Sequence, residues 1–114
     1  MNTDQSRAAK AVEFLIDSAA EYAAAAADRM KTEHMLKVSK ALAMKTSDGK
    51  SQGDREADAL SSPQYLAAIN ESVAAEQAYQ LLRAQREAAI QRIEYWRSLN
   101  ANQRAAERGY GSAA

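Results

Sequence analysis

Apolar residues in this chain recur every three or four positions, and nowhere do they alternate with polar ones as a half-buried strand requires. In the first half, Ala9, Val12, Ile16, Ala19, Ala23, Ala26 and Met30 form one stripe, which His34, Val38 and Leu42 continue by steps of four. In the second half, Ala68, Ser72, Ala75, Tyr79, Leu82, Arg86, Ala89, Ile93 and Trp96 follow the same spacing, flanked by Leu66, Ile69, Val73 and Ile90. Two long amphipathic helices are therefore expected, joined where the pattern breaks.

The punctuation between them sets the boundaries. Asn2 or Thr3 caps the first helix, with Asp4 facing the positive end of its dipole. The stretch "TSDGKSQG", Thr46 to Gly53, supplies a stop and a loop. "DREADAL" then forms a short helical turn capped by Asp54. In "SSPQYLAAI", Ser62 is placed as an N-cap and Pro63 stands at the first helical position, where its missing N–H costs nothing. The expected order is a helix over about 4–46, a loop and short helix over 47–62, a second helix over about 63–108 and a flexible tail over 109–114, with Gly109 and Gly111 ending the second helix. The expected fold is all-α: one domain, a long antiparallel helical hairpin of coiled-coil type that self-associates into a helical bundle.

Composition strengthens the helical reading and adds the reason for self-association. Twenty-seven of the 114 residues are alanine and one is proline, so helix propensity is high along most of the chain. Alanine contributes far less on burial than the roughly 1.5–3 kcal/mol of a leucine-sized side chain. A two-helix seam this poor in large residues needs a further source of stability, and with no cysteine to form a disulfide that source is expected to be a second copy. The seam of the hairpin and oligomer is assigned to Ile16, Ala23, Met30, Val38, Tyr79, Leu82, Ile93 and Trp96, with "AAAAA" at Ala23 to Ala27 marking a close helix contact. His34 is expected as a polar residue within it.

The chain is formally neutral, which argues against a protein that coats DNA. Charge is nevertheless uneven: residues 31–50 hold five cations against two anions, and residues 84–114 five against three. Lys37, Lys40 and Lys45 form one candidate binding set, and Arg97, Arg104 and Arg108 another. The second lies in a segment with Tyr95, Trp96, Asn100, Asn102, Gln103 and Tyr110, whose rings, guanidiniums and amides suit bases and phosphates. Trp96 itself continues the Tyr79–Leu82–Ile93 stripe and is expected to anchor the seam. Glu33–Lys37 is expected as a pair across one helical turn.

Catalysis finds no foothold in the sequence. A lone His34 has no second histidine for a zinc pair, the carboxylates occupy exposed helical positions without the burial that tunes a catalytic pKa, and a phosphate loop after a strand has no strand to follow. No enzyme activity, cofactor, metal or small-molecule substrate is expected. No apolar run approaches the roughly 18 residues that span a bilayer, and the acidic, interrupted start is unlike a signal peptide, so a cytoplasmic protein without membrane contact is expected.

Three segments, "SKALAMK" at Ser39 to Lys45, "READALSSPQYLAAI" at Arg55 to Ile69 and "IEYWRSLNANQRAAER" at Ile93 to Arg108, resemble small helical proteins encoded by tailed phages and prophages near recombination or replication genes. The resemblance covers most of the chain and implies a non-enzymatic accessory protein that oligomerises and binds macromolecular partners, protein or single- or double-stranded DNA. The alternative is a purely structural or adaptor coiled coil without nucleic-acid contact.

Overall fold

The computed structural model describes residues 3–113, with side chains to residue 109. Four helices and no strand make up the described residues: α1 (Thr3–Asp17), α2 (Ala19–Lys45), α3 (Gln52–Leu60) and α4 (Pro63–Ala113). They form two compact units, Met1–Ala20 with Leu82–Ala114, and Glu21–Leu81.

Local chemistry explains most of the boundaries. The Ser62 hydroxyl accepts from the Tyr65 N–H at 3.2 Å, so α4 opens with the expected serine cap before Pro63. The cap of α3 is Ser51 and not Asp54: its hydroxyl accepts from the Asp54 N–H at 3.1 Å, which starts the helix earlier and places Gly53 inside it. Gly49 is required by space and not by backbone sign, because a Cβ there would lie 2.9 Å from the Arg55 nitrogen and 2.9 Å from the Asp54 Cβ.

Two expected boundaries differ. The first helical stretch is interrupted at Ser18, which separates α1 from α2. At the other end α4 passes through Gly109 and Gly111 to Ala113 instead of giving way to a tail after Arg108. A glycine costs a helix about 1 kcal/mol relative to alanine but does not by itself impose a stop. Among the described residues no glycine adopts a positive φ, and nothing lies within 4 Å of the Gly109 Cβ position.

In the unit Glu21–Leu81, α2 and the first part of α4 lie side by side, and partner numbers fall on one helix as they rise on the other: Tyr22 meets Tyr79, and Arg29 meets Glu76. Tyr22, Ala25, Arg29, Thr32, Leu36, Ser39 and Ala43 are half-buried or buried on α2, against Tyr65, Ala68, Ser72, Ala75 and Tyr79 on α4. Steps of three and four repeat without exception on both, the spacing of a left-handed coiled coil. Ala59 of α3 is fully buried.

The unit Met1–Ala20 with Leu82–Ala114 continues the same logic. Ala8, Ala11 and Leu15 are covered on α1, Ser18 just after it, and Leu82, Arg86, Ala89, Ile93 and Trp96 on α4. In both units the deeply covered side chains are alanine and serine, apart from Leu82 at 7% exposure.

That small-residue register corrects the stripe assigned to the first half. Ile16 (69% exposed), Ala23 and Met30 (74% exposed) lie outside the covered positions, as do His34 and Leu42, while Val38 is half-buried. The covered set runs one position earlier, through Ser18, Tyr22, Ala25 and Arg29. Leu15, Tyr22 and Arg29 share that register with the small residues, and Ile16 and Met30, one position further on, turn about 100° away from it.

Candidate functional site

Polar side chains occupy covered positions in both units, and among the described residues no fully buried side-chain nitrogen or oxygen is left without a hydrogen-bond partner. Within Met1–Ala20 with Leu82–Ala114, the Arg86 guanidinium donates from Nη1 to the Ser18 hydroxyl at 2.7 Å and to the Leu15 carbonyl at 2.8 Å. Leu15 O is the carbonyl that an unbroken helix would offer to the N–H of residue 19. A side chain inserted into this ladder is a recognised cause of helix interruption, and Ser18 is where α1 ends and α2 begins.

In Glu21–Leu81, the rings of Tyr22 and Tyr79 stack with centroids 5.5 Å apart and planes 11° from parallel, and the Tyr22 hydroxyl donates to that of Tyr79 at 3.3 Å. The Arg29 guanidinium lies 4.6 Å from the centre of the Tyr79 ring and pairs with Glu76. Hydrogen bonds from Gln80 and from Arg29 hold the Glu76 carboxyl below the usual carboxylate range, and the bond to Glu76 raises Arg29. Charge is thus used here to fix how two helices pair.

The expected cationic sets are divided by these contacts. Lys40 donates to Glu56 of α3 at 2.8 Å, and that bond raises the lysine and lowers the carboxylate. Lys37 and Lys45 are exposed and form no ion pair among the described residues. The expected Glu33–Lys37 pair is absent from the described contacts. On α4, Arg97 pairs with Glu94 at 3.0 Å across one turn. Arg104 is exposed and unpaired among the described residues, and Arg108 is exposed with an interaction of its own. Arg97 and Arg104 border one shallow depression with Ser98 and Asn100.

Large apolar side chains lie outside the seams. Met30, Leu42, Leu66, Val73 and Leu81 are half or more exposed in one unit, as are Ile16 and Tyr95 in the other. The chain has therefore placed alanine where helices touch and much of its larger hydrophobic surface toward solvent. Of the expected seam residues on α4, Leu82 is buried and Tyr79, Ile93 and Trp96 are half-buried.

No protein family, curated protein or solved structure matches this chain.

Among the described residues, no group of three or more His, Asp or Glu side chains is arranged to hold a metal ion, and no helix is long and apolar enough to cross a membrane. His34 stands exposed on α2, away from the covered register. Tyr110 belongs to the expected base-stacking segment, but its side chain lies outside the described residues.

Sequence reading overlooked Ser18, Arg29 and Glu76 as positioning residues. A signal for the first two was present: Leu15, Ser18, Tyr22, Ala25 and Arg29 keep a strict alternation of four and three. The larger Val12, Ile16 and Met30 at neighbouring positions masked it.

Proposed function

We propose that the protein is a non-enzymatic helical-hairpin protein that assembles with copies of itself and holds macromolecular partners through the surfaces of that assembly. One observation carries this reading: Met30 and Ile16 are 74% and 69% exposed while alanines fill the seams. Isolated exposed apolar residues are ordinary on any surface, but larger exposed apolar areas mark interaction surfaces. Alanine contacts alone give a two-helix unit little hydrophobic stabilisation. Covering the larger side chains by a second copy supplies it.

The reading favours an adaptor over a protein that acts mainly through its cations. Lys40 and Arg97 are engaged by Glu56 and Glu94, and Arg86 is taken up inside its unit by Ser18 and Leu15. An accessory part in DNA recombination or replication, as the phage resemblance implies, is compatible with such an adaptor.

Assembly of this kind makes stability depend on concentration. The urea midpoint, followed by circular dichroism, is expected to rise as protein concentration is raised a hundredfold. A midpoint independent of concentration contradicts the proposal.

A further inference from the structure

The last part of α4 has a different surface from the rest. Asp4 and Arg7 near the start of α1 border the same depression as Arg92 and Tyr95 of α4, so the described part of α1 reaches its end opposite this level. Trp96, Leu99 and Asn100 are half-buried, and every residue from Ala101 to Gly109 is exposed. The seam register changes in step: Ala89, Ile93 and Trp96 are followed at the same spacing by Asn100, Gln103 and Glu107. A helix face that is polar where no described helix covers it is suited to water or to a polar ligand.

Its cations are ordered. At about 100° per residue, Arg97, Arg104 and Arg108 fall within about 40° of one another around the axis, and the one acid in 97–109, Glu107, lies about 80° round from Arg97, between Asn100 and Gln103. Asn100 and Gln103 lie beside that stripe, about 60–120° round the same helix. A single helix about 10–12 Å wide enters the roughly 12 Å major groove of B-DNA. Two helices packed with axes 8–10 Å apart are too broad to do so. Arginines along one edge suit the phosphates, and amides turned toward the floor suit base edges.

We infer that residues 97–109 of α4 form a duplex-DNA docking helix, with Arg97, Arg104 and Arg108 on the phosphates and Asn100 and Gln103 toward the major-groove edges. The inference goes beyond self-assembly and stands or falls separately from it, because none of these residues is an exposed apolar one. Two of the three are already engaged, Arg97 by Glu94 and Arg108 by an interaction of its own, so each reaches phosphate by exchanging one partner for another.

The test is fluorescence anisotropy of the full chain with a labelled mixed-sequence DNA duplex and with one of its strands alone. Three phosphate contacts predict that duplex affinity falls about 40-fold between about 50 and 200 mM salt. Arg97→Gln/Arg104→Gln/Arg108→Gln keeps helix-forming residues at all three sites and is expected to lower affinity more than tenfold and flatten the salt dependence, with helicity by circular dichroism unchanged. Glu94→Gln, which releases Arg97, is expected to tighten binding. Lys37→Gln/Lys45→Gln is expected to leave it within twofold. The inference is overturned if the duplex is not bound at the lower salt, if the single strand binds as tightly as the duplex, or if the lysine variant loses binding as the arginine variant does.

Discussion

Arg86 reaches the Ser18 hydroxyl at 2.7 Å and, with the same nitrogen, the Leu15 carbonyl at 2.8 Å, and Ser18 is only 4% exposed. A buried hydroxyl and an interrupted backbone are thus satisfied by one cation from another helix. Arg86→Ala is expected to destabilise the protein by about 1–3 kcal/mol, since it strands both acceptors. Replacing both partners, as Arg86→Met with Ser18→Ala, is expected to recover most of that loss. Urea unfolding monitored by circular dichroism distinguishes the two, and a double variant as unstable as Arg86→Ala would refute this account of the contact.

The alanine seams leave little tolerance for volume. Ala89 is 2% exposed and Ala11 3%. Ala89→Leu is expected to cost about 1–3 kcal/mol by overpacking, whereas shortening the buried Leu82 to alanine is expected to cost about 2–5 kcal/mol by leaving a cavity. Thermal unfolding of the two variants checks both values. A stabilised Ala89→Leu protein would show that the helices do not approach closely at that position.

Gly49 presents the same constraint in a loop. Its Cβ position is crowded by Arg55 N and Asp54 Cβ, and Arg55 Nε donates to the Gly49 carbonyl at 3.0 Å. Gly49→Ala is expected to lower the melting temperature, while Gly109→Ala, with open space around it, is expected to raise helicity. Parallel melts of the two variants test the contrast.

The ion pair between Lys40 and Glu56 sets two pH limits. Glu56 is lowered by its partner, so the pair contributes above the ordinary glutamate value of about 4.3 and is lost as pH falls through the depressed folded value. Lys40 is raised, so its contribution is present below about 10.4 and disappears as pH rises through the elevated folded value. Both groups are half-exposed to solvent, so the effect is small and salt-sensitive. Carbon-detected NMR titration of the Glu56 carboxyl is expected to show a midpoint below that in a Lys40→Gln variant. Identical midpoints would dissociate the two groups in solution.

How legible these features were in the sequence depended on residue size. Apart from Glu76, the covered positions of α4 from Ala68 to Trp96 fall on or beside the stripe read from the sequence, because Tyr79, Leu82, Ile93 and Trp96 mark that face with large side chains. In the first half of the chain the covered face joins Leu15, Tyr22 and Leu36 to Ala8, Ala11, Ser18, Ala25 and Thr32, and those smaller members have little hydrophobic contrast with the rest of an alanine-rich helix. Val12, Ile16 and Met30 drew the stripe one position aside. Ser62 and Pro63 were readable as a helix start because their chemistry is local. The pairing of Arg86 with Ser18 was not, since it joins residues 68 apart in sequence. Nor was the division of the cations, which depended on where Glu56 comes to lie relative to Lys40.

The central claim is that exposed apolar side chains are covered by further copies of the chain. Size-exclusion chromatography with light scattering at micromolar concentration tests it most directly. A mass of at least twice 12.4 kDa is predicted for the wild type, reduced toward one chain by Met30→Glu or Ile16→Glu with helicity retained. A wild-type mass of a single chain at that concentration would contradict the account.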